Sequence, residues 1–473
     1  MPQRIAIVGA GWAGLAAAVG LTSAGHAVTV FEAARTAGGR ARRIDDAAAN
    51  ALDNGQHILI GAYTETLRLM RAVGADPQAL LHRQPLSLRY PDGSGLQLPD
   101  WPAPLDIAWG VLRSRGWRLS ERLALLRTAA QWRAGGFACD AAWTVQRLCR
   151  HLPARVREEL IEPLCVSALN TPMAEASAQV FLTVLRDALL GPRGSSHLLI
   201  PRHDLGTLLP DPAMAWLQAH GAEVAIGQRV ESLAWQAAGA AGDAAHPHHP
   251  RQTWQAWQAW QAWQVQGHTF DAVVLATPPW EAARLVERLA DTVGTAAGEP
   301  WAATLHDWSR CAAALRHEAI ATVYARGGPV LAQPMLSLRS GPGAPAQFVF
   351  DRAWLAQSAR QPAAARPRHN DHASPGIKAF VVSASTLERE ELTRQVIGQA
   401  HALGWHDVTA VQTVVEKRAT FACTPGLKRP ALAIAPGLWA CGDYTEGPYP
   451  ATLEGAVRSG LAVAARITGR SAG

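Results

Sequence analysis

The chain has 473 residues, of which 48% are hydrophobic and 17% are charged. This composition is typical of a folded globular protein and excludes an intrinsically disordered one. Its length is enough for two or three domains. The formal net charge is +6, but almost all basic residues are arginine. No long basic tract or recognition motif accompanies that charge, so we expect no nucleic-acid partner.

The cysteines and the apolar runs predict the compartment. The six cysteines show no Cys-x-x-Cys pair and no metal-ligand spacing, which predicts free thiols and no metal site. Residues 5–21 are uncharged, but their patterned glycines favour a strand, a turn and a helix over a signal peptide. No other uncharged apolar run reaches membrane-spanning length. We therefore expect a cytoplasmic protein, with contact at the inner face of the cytoplasmic membrane as a further expectation.

The N-terminal residues predict one complete βαβ unit. A short buried strand over Arg4–Val8 is followed by a glycine turn and by a helix over Leu15–Ala24. A second strand covers Ala27–Phe31 and ends at Glu32. A glycine-rich turn between a strand and a helix is typical of dinucleotide-binding folds.

The turn itself reads Gly9-Ala10-Gly11-Trp12-Ala13-Gly14. In this pattern Gly9 permits the tight turn, Gly11 lets the backbone approach a pyrophosphate, and Gly14 lets the helix pack closely on the strand. Glu32 lies about 20 residues further on, where a carboxylate accepts hydrogen bonds from ribose hydroxyls. An acidic residue there disfavours a 2′-phosphate, so the unit predicts FAD or NAD rather than NADP.

A second glycine motif, Gly38-Gly39-Arg40, follows Glu32 at short distance. Its glycines allow the backbone to press against a cofactor, and the fork of Arg40 suits phosphate oxygens. At this distance from Glu32 the triplet favours FAD over NAD.

Further elements are predicted along the rest of the chain. Helices are expected over Thr64–Val73, within a mainly helical region from Trp101 to about Leu190, and over Ala451–Ile467. Strands are expected at Leu86–Tyr90, Leu96–Leu98, Glu223–Ile226, Arg229–Leu233, Ala272–Ala276, Ala319–Tyr324, Gln347–Phe350, Lys378–Ser383 and Leu438–Cys441.

Nucleotide-type signals thus lie at the start, the middle and the end of the chain. The predicted fold class is α/β, with a discontinuous Rossmann-like FAD-binding domain and an inserted α+β substrate-binding domain. The FAD-binding parts are expected at residues 1–85, 201–285 and 416–473, and the substrate parts at residues 86–200 and 286–415.

Two low-complexity segments interrupt this plan. Residues 239–253 run into a threefold Trp-Gln-Ala repeat at residues 254–262. We interpret the repeat as an expansion inside a hairpin loop, with a membrane-dipping aromatic tongue as the alternative. Residues 360–375, rich in Pro, Ala and His, are expected to form a surface loop.

The two N-terminal motifs resemble those of the flavin amine oxidase and phytoene desaturase superfamily. Ala440–Tyr444 and Leu453–Gly460 resemble its second FAD motif. The resemblance implies FAD as cofactor, with Asp443 on the ribityl chain and with backbone of Thr452 and Leu453 facing the flavin. The residues predicted to bind FAD are Gly9, Gly11, Trp12, Ala13, Gly14, Glu32, Ala33, Gly39, Arg40, Gly55, Gln56, His57, Val230, Gly442, Asp443, Thr452 and Leu453.

Longer segments narrow the resemblance to bacterial squalene-associated flavoenzymes, the hydroxysqualene dehydroxylases of hopanoid pathways. These segments are Asp53–Tyr63, Glu162–Cys165, Ala168–Pro172, Lys417–Ala422 and Gly447–Thr452. The resemblance implies removal of an allylic hydroxyl from hydroxysqualene, with hydride from reduced FAD. It also implies a hydrophobic isoprenoid substrate and coupling to upstream enzymes of the squalene pathway. The alternatives are a carotenoid-type desaturase or isomerase and a non-catalytic prenyl-lipid-binding protein of the same fold.

The residues predicted to be catalytic are His57, Tyr449 and Lys417. His57 lies in the segment expected near the flavin ring, and its ordinary pKa suits proton transfer. A histidine that only supports the loop through a backbone hydrogen bond explains it equally well. A salt bridge is an equal alternative for Lys417. Asp53 is expected to brace the flavin loop.

Residues 101–132 combine four tryptophans with five arginines and few acidic residues. This composition is typical of an interfacial helix pair whose apolar face enters lipid while arginines meet headgroups. A solvated basic face over an ordinary core is the equal alternative.

Overall fold

The computed structural model describes residues 2–44, 52–236, 262–293, 301–358 and 376–469. The predicted loops at residues 239–253 and 360–375, and the Trp-Gln-Ala repeat except for Ala262, lie outside the described residues.

The strands of the described residues fall into five sheets. They are β1 Arg4–Val8, β2 Ala27–Glu32, β3 Leu59–Ile60, β4 Leu81–Gln84, β5 Ser87–Arg89, β6 Gly95–Gln97, β7 Leu198–Pro201, β8 Glu223–Ile226, β9 Ala234–Gln236, β10 Ala262–Val265, β11 His268–Phe270, β12 Ala272–Leu275, β13 His317–Arg326, β14 Met335–Ser337, β15 Phe348–Asp351, β16 Ile377–Ser383, β17 Thr409–Phe421, β18 Ala433–Ala435 and β19 Leu438–Ala440.

The helices of the described residues are α1 Trp12–Ser23, α2 Thr64–Ala72, α3 Pro77–Leu80, α4 Leu105–Leu112, α5 Leu119–Ala134, α6 Val145–Leu148, α7 Ala154–Val156, α8 Glu162–Leu169, α9 Ala178–Leu189, α10 Leu205–Leu208, α11 Pro210–Ala219, α12 Pro279–Val293, α13 Ala302–Ala313, α14 Arg352–Ser358, α15 Arg389–Ala402 and α16 Leu453–Ile467. A π-helical turn, Arg157–Ile161, joins α7 to α8.

The first sheet is six-stranded in the order β18-β19-β12-β1-β2-β8. All its pairings are parallel except that of β18 with β19. The central strand β1 is apolar and buried from Ile5 to Val8, as expected of a strand covered on both faces. The strands come from three separate stretches of the chain, which is the discontinuous Rossmann-like arrangement that the sequence predicts.

The second large sheet is antiparallel and five-stranded, in the order β14-β15-β16-β13-β17. Three of its strands were predicted, but β17 was not, although it is 13 residues long. Among the described strands, β17 pairs only with β13, at the edge of the sheet, and most of its residues are exposed or half-buried. It runs across the predicted domain boundary between residues 415 and 416.

The strand predicted at Arg229–Leu233 is wrong, because the next strand starts at Ala234. Val230 and Leu233 are buried while the three neighbours Arg229, Glu231 and Ser232 are exposed. A spacing of three between buried residues does not fit the two-residue alternation of a strand. The segment instead passes along the edge of the pocket described below.

The helical region between residues 105 and 189 contains α4 to α9, as predicted. Its buried side chains join those of the five-stranded sheet in one hydrophobic cluster, which includes Trp117, Phe181 and Phe350. Among the described helices, none combines the length and the hydropathy needed to cross a bilayer.

Candidate functional site

One cavity of about 600 Å³ lies between the two large sheets. Its lining begins where the parallel strands β1, β2 and β12 end, at Gly9, Glu32 and Ala276. The carboxyl ends of parallel strands are where α/β sheets of this kind bind ligands. The opposite lining comes from β13, β15, β16 and β17 of the five-stranded sheet.

The three glycines of the first turn have different surroundings. A Cβ on Gly14 would stand 2.0 Å from the Gly9 carbonyl oxygen, and one on Gly9 would stand 2.7 Å from the Ala276 oxygen. The packing of the protein therefore requires both glycines. Of the atoms in the described ranges, a Cβ on Gly11 would meet only the Gly39 Cα, at 3.9 Å, and Gly11 lines the cavity. The space beside Gly11 is left for a ligand, as a pyrophosphate requires.

Gly11 is also the N-cap of α1, and no side chain in the described parts of the chain caps this helix end. No acidic residue lies in the first turn of the helix either. The free N–H groups at a helix N-terminus attract phosphate groups. This end of the cavity therefore fits the pyrophosphate of a dinucleotide.

The carboxylate of Glu32 is held in place by backbone donors. Its Oε2 accepts a hydrogen bond from Ala10 N at 2.7 Å and its Oε1 accepts one from Ala34 N at 2.7 Å. A carboxylate has about four acceptor positions, so lone pairs remain for ribose hydroxyls. Glu32 and its neighbour Ala33 both line the cavity.

Arg40 joins the N-terminal and C-terminal motifs. Its Nη2 forms a salt bridge with Asp443, and its Nη1 donates to the Ala419 carbonyl oxygen at 2.6 Å. The Asp443 side chain is 8% exposed, and both residues line the cavity. Contact of Arg40 with phosphate oxygens, and of Asp443 with a ribityl chain, stay predictions. The structure adds that each of the two is oriented by the other.

The C-terminal motif ends at α16. Thr452 caps this helix, because its Oγ1 accepts from Gly455 N at 2.9 Å, and both Thr452 and Leu453 line the cavity. Glu454 points away, and its carboxylate accepts from Glu65 N and Thr66 N at the start of α2. It ties α16 to α2 and takes no part in the site.

Two buried polar atoms at the cavity have no hydrogen-bond partner among the described residues. They are the Tyr444 hydroxyl and the Thr277 Oγ1. Burying a hydroxyl without a partner is costly, so both atoms fit a polar ligand. Thr277 was not predicted, although a polar residue two positions after the end of the buried strand β12 is a signal for such a position. Together with the space at Gly11, these atoms match what FAD requires.

The loop from Asp53 to His57 is fixed to α10, to α14 and to strand β13 of the five-stranded sheet. Asp53 Oδ1 accepts from Leu205 N at 2.8 Å, and its Oδ2 pairs with Arg352 Nη1 at 3.1 Å. The Tyr324 hydroxyl donates to the Asp53 carbonyl oxygen at 3.0 Å. Burial raises the pKa of Asp53 to about 6 despite the nearby Arg352. Asp53 therefore braces the loop, as expected.

His57 lines the cavity, and its Nδ1 lies 2.9 Å from the Gly55 carbonyl oxygen. Burial lowers the pKa of His57, and the nearby Arg40 lowers it further. The backbone contact fits Nδ1 as the protonated ring nitrogen, which leaves Nε2 as the acceptor. The structural and the catalytic interpretations of this residue are therefore compatible with each other.

The far walls of the cavity are mainly apolar. Ile320, Phe348, Phe350 and Val381 come from β13, β15 and β16, and Val166 comes from α8. None of them was predicted, because the strands are brought together only by antiparallel pairing over long sequence separations.

Asn170 ends α8 in the left-handed conformation, with φ of 45°. Its Nδ2 donates to the Thr420 Oγ1 at 2.9 Å and its Oδ1 accepts from Ala384 N at 2.8 Å. Both Asn170 and Thr420 line the cavity. Asn170 therefore both ends a helix and forms part of the cavity wall.

Two residues predicted to be catalytic are not brought to the cavity. Lys417 on β17 is exposed, while its neighbour Glu416 lines the cavity and accepts from Asn54 Nδ2 at 3.0 Å. Alternation along the strand turns consecutive side chains to opposite faces. Tyr449 donates its hydroxyl to Asp187 Oδ2 at 3.0 Å and does not line the cavity.

Almost all the residues predicted to bind FAD do line this one cavity, Gly14 being the exception because it packs beneath it. The lining residues are Gly9, Gly11, Trp12, Ala13, Glu32, Ala33, Gly39, Arg40, Gly55, Gln56, His57, Val230, Gly442, Asp443, Thr452 and Leu453.

Comparison with known proteins agrees with this geometry. Residues 12–305 match the family of flavin containing amine oxidoreductases, and the chain belongs to that family. It is an FAD-dependent oxidoreductase. An oxidoreductase from Methanosarcina mazei has the same fold, with a TM-score of 0.66 and 15% identity over 97% of this chain and 99% of the other.

The similarity extends to a narrower group. A hydroxysqualene dehydroxylase from Sinorhizobium fredii is 27% identical over 97% of each chain. One from Rhodopseudomonas palustris is also 27% identical over 97% of each chain. The predicted resemblance to these enzymes is confirmed.

Proposed function

We propose that this protein removes the allylic hydroxyl of hydroxysqualene reductively and so forms squalene. The observation that carries the proposal is that one cavity joins the FAD-binding turns to the apolar walls of the five-stranded sheet. An isoprenoid chain needs such walls, and the redox cofactor must lie within reach of it. The names of the relatives that match along nearly the whole chain support the same substrate.

The reaction breaks one C–O bond. The oxygen leaves as water after gaining a proton, and the carbon gains a hydride. Reduced FAD, when bound, supplies that hydride. The protein must therefore bind the chain, exclude water and deliver the proton, because an allylic cation would otherwise be captured by water.

The side chains of the cavity suit these tasks. Ile320, Phe348 and Phe350 offer apolar surface, and Phe348 and Phe350 are buried. We assign the delivery of the proton to His57. Its Nδ1 contact with the Gly55 carbonyl fixes the ring, so Nε2 is the atom that takes a proton and donates it to the departing hydroxyl.

The decisive experiment is anaerobic incubation of the photoreduced protein with hydroxysqualene. We expect squalene in an amount matching the flavin that becomes oxidised. Phytoene, offered to the oxidised protein in parallel, should remain unchanged. Conversion of phytoene with no squalene formed would favour a desaturase, and a purified protein without flavin would favour a prenyl-lipid-binding protein. A flavin that stays reduced beside intact hydroxysqualene would refute the proposal.

A further inference from the structure

The exposed apolar side chains of this protein are not spread evenly. Among the described residues, ten large apolar side chains are exposed, and six of them lie between residues 101 and 123. These six are Trp101, Leu105, Trp109, Leu112, Leu119 and Leu123. They form what we call the α4–α5 apolar surface. An exposed group of this kind marks an interaction site, whereas single exposed apolar residues do not.

Helical spacing gathers five of these residues on one side of each helix, while Trp101 precedes α4. On α4, Leu105, Trp109 and Leu112 are spaced by four and three residues, while Gly110 and Val111 on the other side are buried. On α5, Leu119 and Leu123 are spaced by four residues, and Leu125 and Thr128 are buried. Each helix therefore has an inner face in the core and an apolar outer face.

The outer faces are strongly exposed. Leu105 and Leu119 are each 63% exposed and Leu123 is 52% exposed. Trp101 and Trp109 contact each other with ring centroids 5.4 Å apart. The Arg113 guanidinium lies 4.8 Å from the centre of the Trp109 ring. Tryptophan beside arginine is the pairing found where apolar side chains enter lipid and cations meet headgroups.

The charges of this region are mostly positive. Residues 101–134 contain six arginines and two acidic residues. Of the acidic residues, Asp106 is buried, and Glu121 is half-buried with its carboxylate accepting from Arg118 N. Five of the arginines are exposed, namely Arg113, Arg115, Arg118, Arg127 and Arg133. The surface thus offers apolar groups and positive charge with little opposing charge.

The α4–α5 surface is also connected to the interior. The inward-facing Val111 and Leu125 belong to the same buried hydrophobic cluster as Phe348 and Phe350, which line the cavity. Apolar packing is therefore continuous from the outer helices to the cavity wall.

We propose that the α4–α5 surface docks on an anionic phospholipid bilayer, with its leucines and tryptophans in the acyl-chain boundary and its arginines at the headgroups. Apolar burial and attraction to anionic lipid act together in such binding. A neutral protein partner would use the apolar side chains but would not use the surrounding arginines. The proposal does not depend on the proposed reaction, because the docking surface lies outside the cavity.

Vesicle co-sedimentation of the flavin-containing protein tests it. The wild type should bind vesicles of phosphatidylcholine mixed with phosphatidylglycerol, and more weakly those of phosphatidylcholine alone. The triple variant Leu105→Ser, Leu119→Ser, Leu123→Ser should lose about tenfold in binding to the mixed vesicles. The matched control is Val330→Ser, Leu403→Ser, Val411→Ser, which changes exposed apolar residues elsewhere and should bind like the wild type.

A second variant separates charge from apolar contact. Arg113→Gln, Arg127→Gln, Arg133→Gln should weaken binding to the mixed vesicles and leave binding to phosphatidylcholine unchanged, and added salt should have the same effect. Turnover of detergent-dispersed hydroxysqualene should be unchanged in the leucine variant and in the arginine variant. A lack of this turnover would contradict the proposed reaction, not the proposed docking surface.

Equal binding of the leucine variant and the wild type would overturn the docking proposal, as would a wild type that binds no vesicles. A wild-type dimer that the leucine variant converts to a monomer, without any change in vesicle binding, would assign the surface to a second copy of this chain.

Discussion

The two ends of the cavity are built in different ways. The nucleotide end consists of glycines, backbone N–H groups and a few anchored polar side chains, most of them within short motifs such as Gly9–Gly14 and Gly38–Arg40. The far end consists of apolar side chains from strands that lie far apart in the sequence, such as Phe350 and Val381. A shared cofactor requires fixed backbone geometry, whereas a substrate is selected by the shape and polarity of side chains.

The largest effect should come from the glycine that supports the nucleotide end. Gly14→Ala places a Cβ 2.0 Å from the Gly9 carbonyl oxygen, and overpacking of this kind costs about 3 kcal/mol. We expect little soluble, flavin-containing protein. Gly11→Ala is the matched control, since its Cβ meets nothing closer than 3.9 Å. It should fold normally and lose about tenfold in FAD affinity, measured by flavin fluorescence. Equal behaviour of the two variants would contradict this account.

Arg40 tests whether the nucleotide end depends on pairing between its motifs. Arg40→Ala leaves the largely buried Asp443 without its partner, which should lower the free energy of unfolding by about 3 kcal/mol. Chemical denaturation of the flavin-free protein measures this loss directly. Arg40→Lys keeps the charge but cannot keep both hydrogen bonds of the guanidinium. Its free energy of unfolding should therefore lie between that of the wild type and that of Arg40→Ala. A loss as small as that of a surface salt bridge would show that the pair is not structural.

Val381 tests the far end alone. Val381→Ala removes apolar surface from this wall and enlarges the cavity, so the KM for the isoprenoid should rise about tenfold, with FAD affinity unchanged. Val349→Ala on the neighbouring strand is the matched control, because Val349 is buried but does not line the cavity. Both variants should lose about 2 kcal/mol of stability. Only Val381→Ala should change the KM, and an equal rise in both would remove this wall from the substrate site.

His57 connects the two ends of the cavity. Its titration should affect kcat/KM and the stability of the protein in opposite directions. Its pKa lies below the ordinary 6.5 because desolvation disfavours the charged ring, so His57 is neutral at pH 7. As proton donor it should make kcat/KM rise as the pH falls through this lowered pKa. The unfolded chain takes up the proton at higher pH, so stability should decrease on acidification below about 6.5. His57→Gln should remove both dependences, and an unchanged kcat/KM profile would assign the proton to another group.

The smallest effects are expected for the two residues outside the cavity. Lys417→Met changes an exposed side chain and should alter kcat by less than about twofold. Tyr449→Phe should lose about 1 kcal/mol, the worth of its hydrogen bond to Asp187. Glu416→Gln, beside Lys417 but lining the cavity, should have a clearly larger effect on kcat than Lys417→Met. A larger effect of Lys417→Met than of Glu416→Gln on kcat would instead indicate that Lys417 belongs to the active site.

The difference between the two ends of the cavity also explains which residues could be predicted from the sequence. Glu32, Arg40 and Asp443 lie at fixed distances from glycine turns, and a motif records such distances directly. Lys417 shows where this reasoning fails, because a motif does not say which of two neighbouring residues on a strand faces inward. On β17 the inward-facing residue is Glu416, and this orientation follows from the pairing of β17 with β13.

The sequence by itself determined the parallel sheet, the cofactor and the family, because local backbone requirements leave their mark in glycines, strand patterns and spaced acidic residues. The tertiary structure decided which side chains form the far wall of the cavity. For residues 101–132, where the sequence left two interpretations open, it showed that α4 and α5 present apolar outer faces. Those features depend on long-range strand pairing and on which face of an element is covered, and neither is encoded in a short stretch of chain.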